Sequence, residues 1–377
     1  VSETASGAED TAISLDIGAS LTDVDGSESL SITISGVPDG AMLSAGTDNN
    51  DGTWTISADD LADDPTLLDN LTITPPEDFS GTIDLGVTAT ATEQDGGASA
   101  VTTGAISVDV AAVADDAGVT VTAASGNEDM AIALDISAVS TDADGFETVS
   151  IEVGNIPEGA TLSYVDADGA TQSIDVSGSS VTLSPEQLNG LSITPSENSD
   201  GDFQLSVDVT TTDGDDTATV SNTLDVSVTA VADGPTLDVG ATASGAEDSA
   251  ISLDISAALT DTDGSESLSV TISGVPDGAV LSAGTDNNDG TWTISAEDLE
   301  ANPSALDNLT ITPPADFSGA MNLGVTATAT EDAGGEPAVT SGTIAVDVDG
   351  VADGATLTLD DASGFEDTAI ALDIDVD

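Results

Sequence analysis

The chain repeats itself every 119 residues, and that period constrains its fold more than any other feature. Glu9-Asp10 returns as Glu128-Asp129, Glu247-Asp248 and Glu366-Asp367. Asp23-x-Asp25-Gly26 returns as Asp142-x-Asp144-Gly145 and Asp261-x-Asp263-Gly264. Val37-Pro38-Asp39-Gly40 returns as Ile156-Pro157-Glu158-Gly159 and Val275-Pro276-Asp277-Gly278. Solenoid repeats run about 20–50 residues and need their neighbours to complete a core, whereas a unit of about 120 residues buries its own. The chain therefore reads as an array of domains, a form that supplies length, spacing or multivalency more readily than one active site. Repeats one and three are near copies and repeat two diverges, which points to duplication and to a spacer role that tolerates changes in copy number.

Period-two alternation predicts strands. In Ser31-Ile32-Thr33-Ile34-Ser35 the isoleucines share one face and the hydroxyls the other; Thr53-Trp54-Thr55-Ile56-Ser57 follows suit. Ile83, Leu85, Val87, Ala89 and Ala91 alternate with Gly or polar residues, and Ile106, Val108 and Val110 close the repeat. Asp51-Gly52 is a hairpin turn signal, because this pair accepts positive φ. Ser57 to Leu61 reads as one short helical turn capped by the serine; helical periodicity is otherwise absent. Seven or eight short strands per repeat imply all-β, antiparallel sandwiches of Ig-like or cadherin-like type in an elongated tandem array. The expected core of repeat one is Ile13, Leu15, Ile17, Ile32, Ile34, Trp54, Ile56, Leu71, Ile73, Phe79, Ile83, Leu85, Val87, Ile106 and Val108. Trp54 and Trp292 are expected as core anchors rather than sugar platforms, and Ile174 as the equivalent in repeat two.

Boundaries fall at residues 1–115, 116–233 and 234–353, with 354–377 as the start of a truncated fourth repeat. The joints, at 113–116, 231–234 and 351–354, follow the last strand directly and are too short to act as free linkers. The sequence begins at Val1 and stops before the fourth Asp-x-Asp-Gly, so it reads as a segment of a longer protein.

Charge narrows the function. The 72 acidic residues face no Lys, Arg or His, giving a formal charge of −72. No internal salt bridge exists, nucleic acid is excluded as a partner, and an anionic membrane repels the chain. An apolar fraction of 38% in ordered patterns argues against disorder. Self-repulsion calls for high salt or divalent cations. There is no Cys, so no disulfide staples the domains, and no run of about 20 apolar residues, so no segment reads as a membrane-spanning helix. Without His, Cys or Lys the usual general bases and nucleophiles are missing. A glycosidase needs only two carboxylates, yet no distinctive cleft motif accompanies them, and the chain reads as a non-enzyme.

Scattered Asp residues carry no information here; acidic residues recurring at fixed places do. Four sets stand out in the first repeat or its joint: Glu9-Asp10, Asp23-x-Asp25-Gly26-x-Glu28, Glu93-Gln94-Asp95-Gly96 and Asp115-Asp116. Calcium takes six to eight oxygen ligands of this kind, and a Gly after Asp-x-Asp permits a tight turn. The opposing reading is a solvated halophilic surface, which suits Asp84 and Asp109; Glu28, Glu147 and Glu266 fit either. Asn70-Leu71-Thr72 and Asn308-Leu309-Thr310 match a glycosylation sequon without further support, and Thr88, Thr90 and Thr92 form an outward row of an ordinary exposed strand.

The run Val231-Ala232-Asp233-Gly234-Pro235-Thr236-Leu237, then Glu247-Asp248, then Asp261-Thr262-Asp263-Gly264, resembles the cadherin-like repeats of giant bacterial RTX (biofilm) adhesins that leave the cell by type I secretion. The phrases VPDGA and LTITPPEDFSG are similar to that family's, and the resemblance covers essentially the whole chain. The family's terminal ligand-binding regions and its Gly-Gly-x-Gly-x-Asp nonapeptides do not occur here. The resemblance implies Ca2+ held by a Glu of one domain, the linker Asp, and an Asp-x-Asp of the next. By position these are Glu9, Asp115, Asp116, Asp142 and Asp144 at the first joint, and Glu128, Asp233, Asp261 and Asp263 at the second. Glu247 and Asp353 belong to the third. An alternative keeps Asp23, Asp25 and Glu28 in a site within one domain. The implied function is a calcium-rigidified stalk of a secreted or cell-surface adhesin, whose partners are its own neighbouring repeats. The second reading is a self-assembling extracellular filament whose partners include other copies; a ligand-binding adhesin domain is a third.

Overall fold

The computed structural model describes residues 3–23, 25–94, 96–97, 99–142, 145–372 and 374–376. Asp95 and Asp144, expected in the late loop and the first joint, lie outside the described residues, as does Asp377.

Alternation in the sequence becomes strands where predicted. Repeat one comprises β1 (Thr4–Ala8), β2 (Ile13–Ser14), β3 (Glu28–Ser35), β4 (Met42–Leu43), β5 (Thr47–Asp48) and β6 (Thr53–Ile56), then helix α1 (Ala58–Asp63), β7 (Thr72–Thr74), β8 (Gly81–Glu93) and β9 (Ser99–Ala111). One sheet has the order β1-β9-β8-β3-β6-β5 and the other the order β2-β7-β4. Their facing residues make one core that includes Ile13, Ile32, Ile34, Ile56, Ile73, Leu85 and Val108. Thirteen of the fifteen residues expected in this core are buried; Trp54 and Phe79 are only half-buried and pack at its margin.

Ser57 caps α1 in a reciprocal box: its hydroxyl accepts from Asp60 N–H, and the Asp60 carboxylate accepts from Ser57 N–H. The β5–β6 turn takes positive φ at Asn50 (59°) and Gly52 (79°), so Gly52 behaves as the Asp51-Gly52 signal predicts, whereas the second positive value falls on Asn50 rather than on Asp51. One pairing departs from the antiparallel expectation. β1 runs parallel to β9, Thr4 opposite Ser107 through Ala8 opposite Ala111. Parallel neighbours at the two ends of a domain put its entrance and exit at opposite poles, which suits a serial array.

Repeat two keeps the plan with changes. Its larger sheet joins Ala124–Asn127, Asp216–Thr229, Phe203–Asp213, Thr148–Gly154 and Val181–Leu183. Ile151 pairs with Leu183 and Val153 with Val181, as Ile32 pairs with Ile56 and Ile34 with Trp54. Val181 therefore occupies the Trp54 position, not Ile174 as expected from spacing. Ile174 lies in Thr171–Ile174, which pairs with Thr161–Val165 in the smaller sheet. The divergent loop of repeat two forms its own hairpin and displaces the register.

By contact density the chain divides into two units, residues 1–196 with 201–228, and residues 197–200 with 229–377. The first holds the two sandwiches above. The second repeats the repeat-one plan, with Thr242–Ala246 parallel to Ala338–Asp349 in the large sheet and Ile251–Ser252, Thr310–Thr312 and Val280–Leu281 in the small one. Its core includes Val270, Ile272, Ile294, Leu309, Ile311 and Leu323. A hairpin of Leu357–Leu359 with Ile374–Val376 follows. No described helix is long and apolar enough to cross a membrane.

Candidate metal centre at the domain joint

The linker after β9 is held by carboxylates from both sides. The Val113 N–H donates to Glu9 Oε1 (2.6 Å), the Ala114 N–H to Asp216 Oδ2 (3.2 Å) and the Asp115 N–H to Glu147 Oε1 (2.9 Å). Thr211 Oγ1 donates to the Asp115 carbonyl (2.5 Å) and Thr141 Oγ1 to that of Asp116 (3.1 Å). Glu9 belongs to the first sandwich; Glu147, Thr211 and Asp216 belong to the second. The linker is thus threaded between two domains rather than swinging free.

The same joint collects negative charge. Asp10, Asp78 and Asp115 each offer a carboxylate oxygen, and these lie within 4.8 Å of one another. Asp10 stands at φ 55° and Asp78 at φ 55°, both in turns, and Asp10 Oδ1 accepts the Asp78 N–H (3.2 Å). Asp115 is brought in by the linker clamp. Beside them Glu9 is only 4% exposed, and its Oε2 is buried without a hydrogen-bond partner. Burial pushes the Glu9 carboxyl up; the Val113 N–H offsets part of this, and the charges of Asp213, Asp10 and Asp142 add to it. Asp115 is raised too, first by burial and then by Asp78 and Asp10. A buried, unpartnered carboxylate oxygen costs free energy, and this chain has no side-chain cation to offset it.

The donor set is all oxygen, which fits a hard divalent cation; zinc-type sites favour Cys and His, which the chain lacks. The three carboxylates are oxygen ligands of the kind that a calcium ion collects to a total of six to eight.

The expected ligands fare differently. Glu9 and Asp115 come together at the first joint. Asp142 is close enough for its charge to act on Glu9, and its N–H donates to Ser140 Oγ (3.1 Å). Asp116 is exposed and outside the three-carboxylate cluster. Asp23 and Asp25 are exposed; Asp23 Oδ1 accepts the Asp25 N–H (3.0 Å) and Asp25 Oδ1 the Ser27 N–H (2.8 Å). The Ser27 hydroxyl, then the Ser27 N–H, hold the Asp25 carboxyl below its ordinary value. Glu128 is buried.

In the second unit the pattern recurs. Asp248, Asp316 and Asp353 form the counterpart of the Asp10, Asp78 and Asp115 cluster. Glu247 accepts the Val351 N–H as Glu9 accepts that of Val113. The charge of Asp316, then burial, raises Asp353. Asp233 N–H donates to Glu266 Oε1 (2.6 Å) as Asp115 does to Glu147. Asp261 Oδ1 accepts the Asp263 N–H (2.8 Å), and Asp263 Oδ1 that of Ser265 (2.8 Å). Across the strands Glu266 lies opposite Glu331. Glu331 is 4% exposed, and burial followed by the Glu266 charge pushes it up.

Sequence reasoning passed over Asp78, Asp316, Asp213 and Glu331; it singled out the Glu9-Asp10 and Glu247-Asp248 pairs but assigned only the Glu of each to a joint. A signal for the first pair existed: Pro-x-Asp-Phe-Ser-Gly recurs at 76–81 and 314–319.

No protein-family model matches the chain, and no curated protein matches it by sequence. Among solved structures, Drosophila N-cadherin EC1-4 aligns over 92% of this chain and 73% of its own, at 14% identity and TM-score 0.26. The FN1-FN3 domains of chicken CNTN1 align over 91% and 97%, at 11% identity and TM-score 0.25. An endo-fucoidan hydrolase of glycoside hydrolase family 107 aligns over 85% of this chain at 15% identity and TM-score 0.20, and this chain spans 39% of that enzyme's length. The all-β sandwich assignment stands on the sheets themselves.

Proposed function

We propose that the chain is a calcium-rigidified extender, a stalk segment of a secreted or cell-surface adhesin of the bacterial RTX type, with each β-sandwich repeat as one rod element. The observation that carries this reading is the first joint. There, Asp10, Asp78 and Asp115 converge within 4.8 Å beside the buried, unpartnered oxygen of Glu9. Asp10 and Asp78 are fixed to the first sandwich, whereas Asp115 is hydrogen-bonded to the second through Glu147 and Thr211. Whatever holds these three carboxylates together fixes the linker to both domains. Bound calcium supplies the missing positive charge. Without it the carboxylates repel and loosen the joint.

Extracellular calcium modules bind at about 10⁻⁴–10⁻³ M, so such joints set outside a cell and stay loose inside one. Ligands that bind only the folded state also stabilise it. The test is thermal unfolding with and without millimolar calcium, in enough NaCl to screen bulk repulsion. A calcium-specific rise in midpoint, with a fall in segmental mobility across the joint, is the expected result. Equal rises from NaCl and CaCl2 at matched ionic strength would defeat it and leave a salt-adapted surface.

A further inference from the structure

The second joint departs from the first at the turn that supplies Asp78. Repeats one and three read Asp78-Phe79-Ser80-Gly81 and Asp316-Phe317-Ser318-Gly319, whereas repeat two reads Asn198-Ser199-Asp200-Gly201. Asn198 keeps the turn, with the φ of 55° that Asp78 has, but an amide replaces the carboxylate. The lost charge reappears two residues on, because Asp200 stands where the other repeats have Ser80 and Ser318.

Residues 197–200 pack with the repeat-three unit, and there they meet its Asp-x-Asp loop. Asn198 Nδ2 donates to the Thr260 carbonyl (3.3 Å). Asp200 is half-buried; burial raises its carboxyl first, then Asp263 does so by its charge and by a side-chain hydrogen bond, and the charge of Asp261 adds to both. Asp261 is 1% exposed and Glu331 4%, and carboxylate oxygens of the two lie within 4.8 Å of each other. Glu331 ends the strand Gly319–Glu331 directly opposite Glu266, whose Oε1 accepts the Asp233 N–H. Like charges opposed across two strands destabilise a sheet. Both Glu331 oxygens are buried and accept no hydrogen bond. Ser265 stands beside them, but its hydroxyl donates to Asp261 Oδ2 (3.4 Å).

A buried carboxylate of this kind has to be neutralised by a proton or a cation. A proton serves one group, whereas Asp200, Asp261, Asp263 and Glu331 converge here, and the chain has no side-chain cation. A divalent ion of the calcium type takes several carboxylates at once, through one or both oxygens of each. We propose that the second joint holds a divalent cation at a seat of its own, between Asp200, Asp261, Asp263 and Glu331, apart from the position that Asp10, Asp78 and Asp115 mark at the first. The proposal rests on calcium as the ion of the joints and adds two ligands, Asp200 and Glu331, that the recurring motifs do not contain. At the first joint the corresponding seat has one carboxylate fewer, since Ser80 replaces Asp200. The array thus carries two kinds of cation seat, and its joints stiffen over different ranges of calcium.

The test is a calorimetric titration of the whole chain with calcium, in physiological salt, for the wild type, E331Q, D200N and the D78N/D316N double variant. Glu331→Gln keeps the shape and removes the buried charge, and Asp200→Asn does the same at a half-buried position. Chemical denaturation without calcium checks that each variant folds; if E331Q does not, D200N decides. The expected result is two classes of calcium site. One is weakened about tenfold or more by both E331Q and D200N and is unchanged in D78N/D316N, which weakens only the other. The proposal is overturned if E331Q and D200N bind calcium as the wild type does, or if D78N/D316N removes the same sites, which would make the two seats one. In both cases calcium still binds and the extender reading stands. Absence of calcium-specific binding from the wild-type chain overturns both.

Discussion

Asp78→Asn separates charge repulsion from metal ligation, because the two act in opposite directions at that carboxylate. The change keeps the shape and removes one of three charges lying within 4.8 Å of one another. At that separation two unit charges repel by about 0.9 kcal/mol in water and more where solvent is partly excluded. Removing Asp78 deletes two of the three repulsions, a relief of about 1–2 kcal/mol at low ionic strength. Spread over a domain of this size, that raises the calcium-free unfolding midpoint by about 3–8 °C. With calcium at about a hundredfold its dissociation constant the wild-type gains about 2.7 kcal/mol. If loss of one carboxylate weakens binding about tenfold, that gain falls to about 1.4 kcal/mol. The assay is thermal unfolding followed by Trp54 emission in a Trp292→Phe background, so that only repeat one reports. The expected pattern is a higher midpoint without calcium and a calcium increment cut by about half. A lower calcium-free midpoint, or an undiminished increment, would refute the reasoning.

Three further outcomes are expected. The folded-state values of Glu9 and Asp115 are raised above the ordinary 4.5 and 3.8, so each contributes stability that is complete below the ordinary value and is lost as pH rises through the folded one. The calcium-free chain should therefore gain stability on acidification from neutral pH toward the ordinary carboxylate values, and its calcium increment should shrink over the same range as protons compete; midpoint against pH with and without calcium checks both. Ser57→Ala removes the capping box of α1 and should cost about 1 kcal/mol, read from the repeat-one midpoint. Gly36→Ala places a Cβ 2.4 Å from the Asp84 carbonyl oxygen at φ 79° and should destabilise by more than about 1 kcal/mol in chemical denaturation.

The fold was legible because its signals are local. Alternation of Ile32 and Ile34 with Ser and Thr, the Ser57 cap and the Asp51-Gly52 turn each act within a few residues, and each appears where the sequence indicated. What was not legible depends on pairing between distant segments. Parallel pairing of β1 with β9 needs both ends of the repeat, and Val181 replaces Trp54 only through a register that the repeat-two hairpin shifts. The site was half legible for a different reason. Glu9 and Asp115 stood out by recurrence, but with 72 acidic residues the background hid Asp78 and Glu331. Asp78 meets Asp10 across 68 residues, and Glu331 meets Glu266 across two strands.

The parallel pairing of β1 with β9 also has a mechanical consequence. The chain enters a repeat at the start of β1 and leaves at the end of β9, and these strands are hydrogen-bonded neighbours over five paired residues. Tension along the chain draws the two strands past each other lengthwise. It loads all rungs of the ladder in shear together, where an antiparallel terminal hairpin would unzip one rung at a time. Thr242–Ala246 and Ala345–Asp349 repeat the arrangement. In each such sandwich a pull between the opposite poles falls on the seam where the first and last strands run side by side.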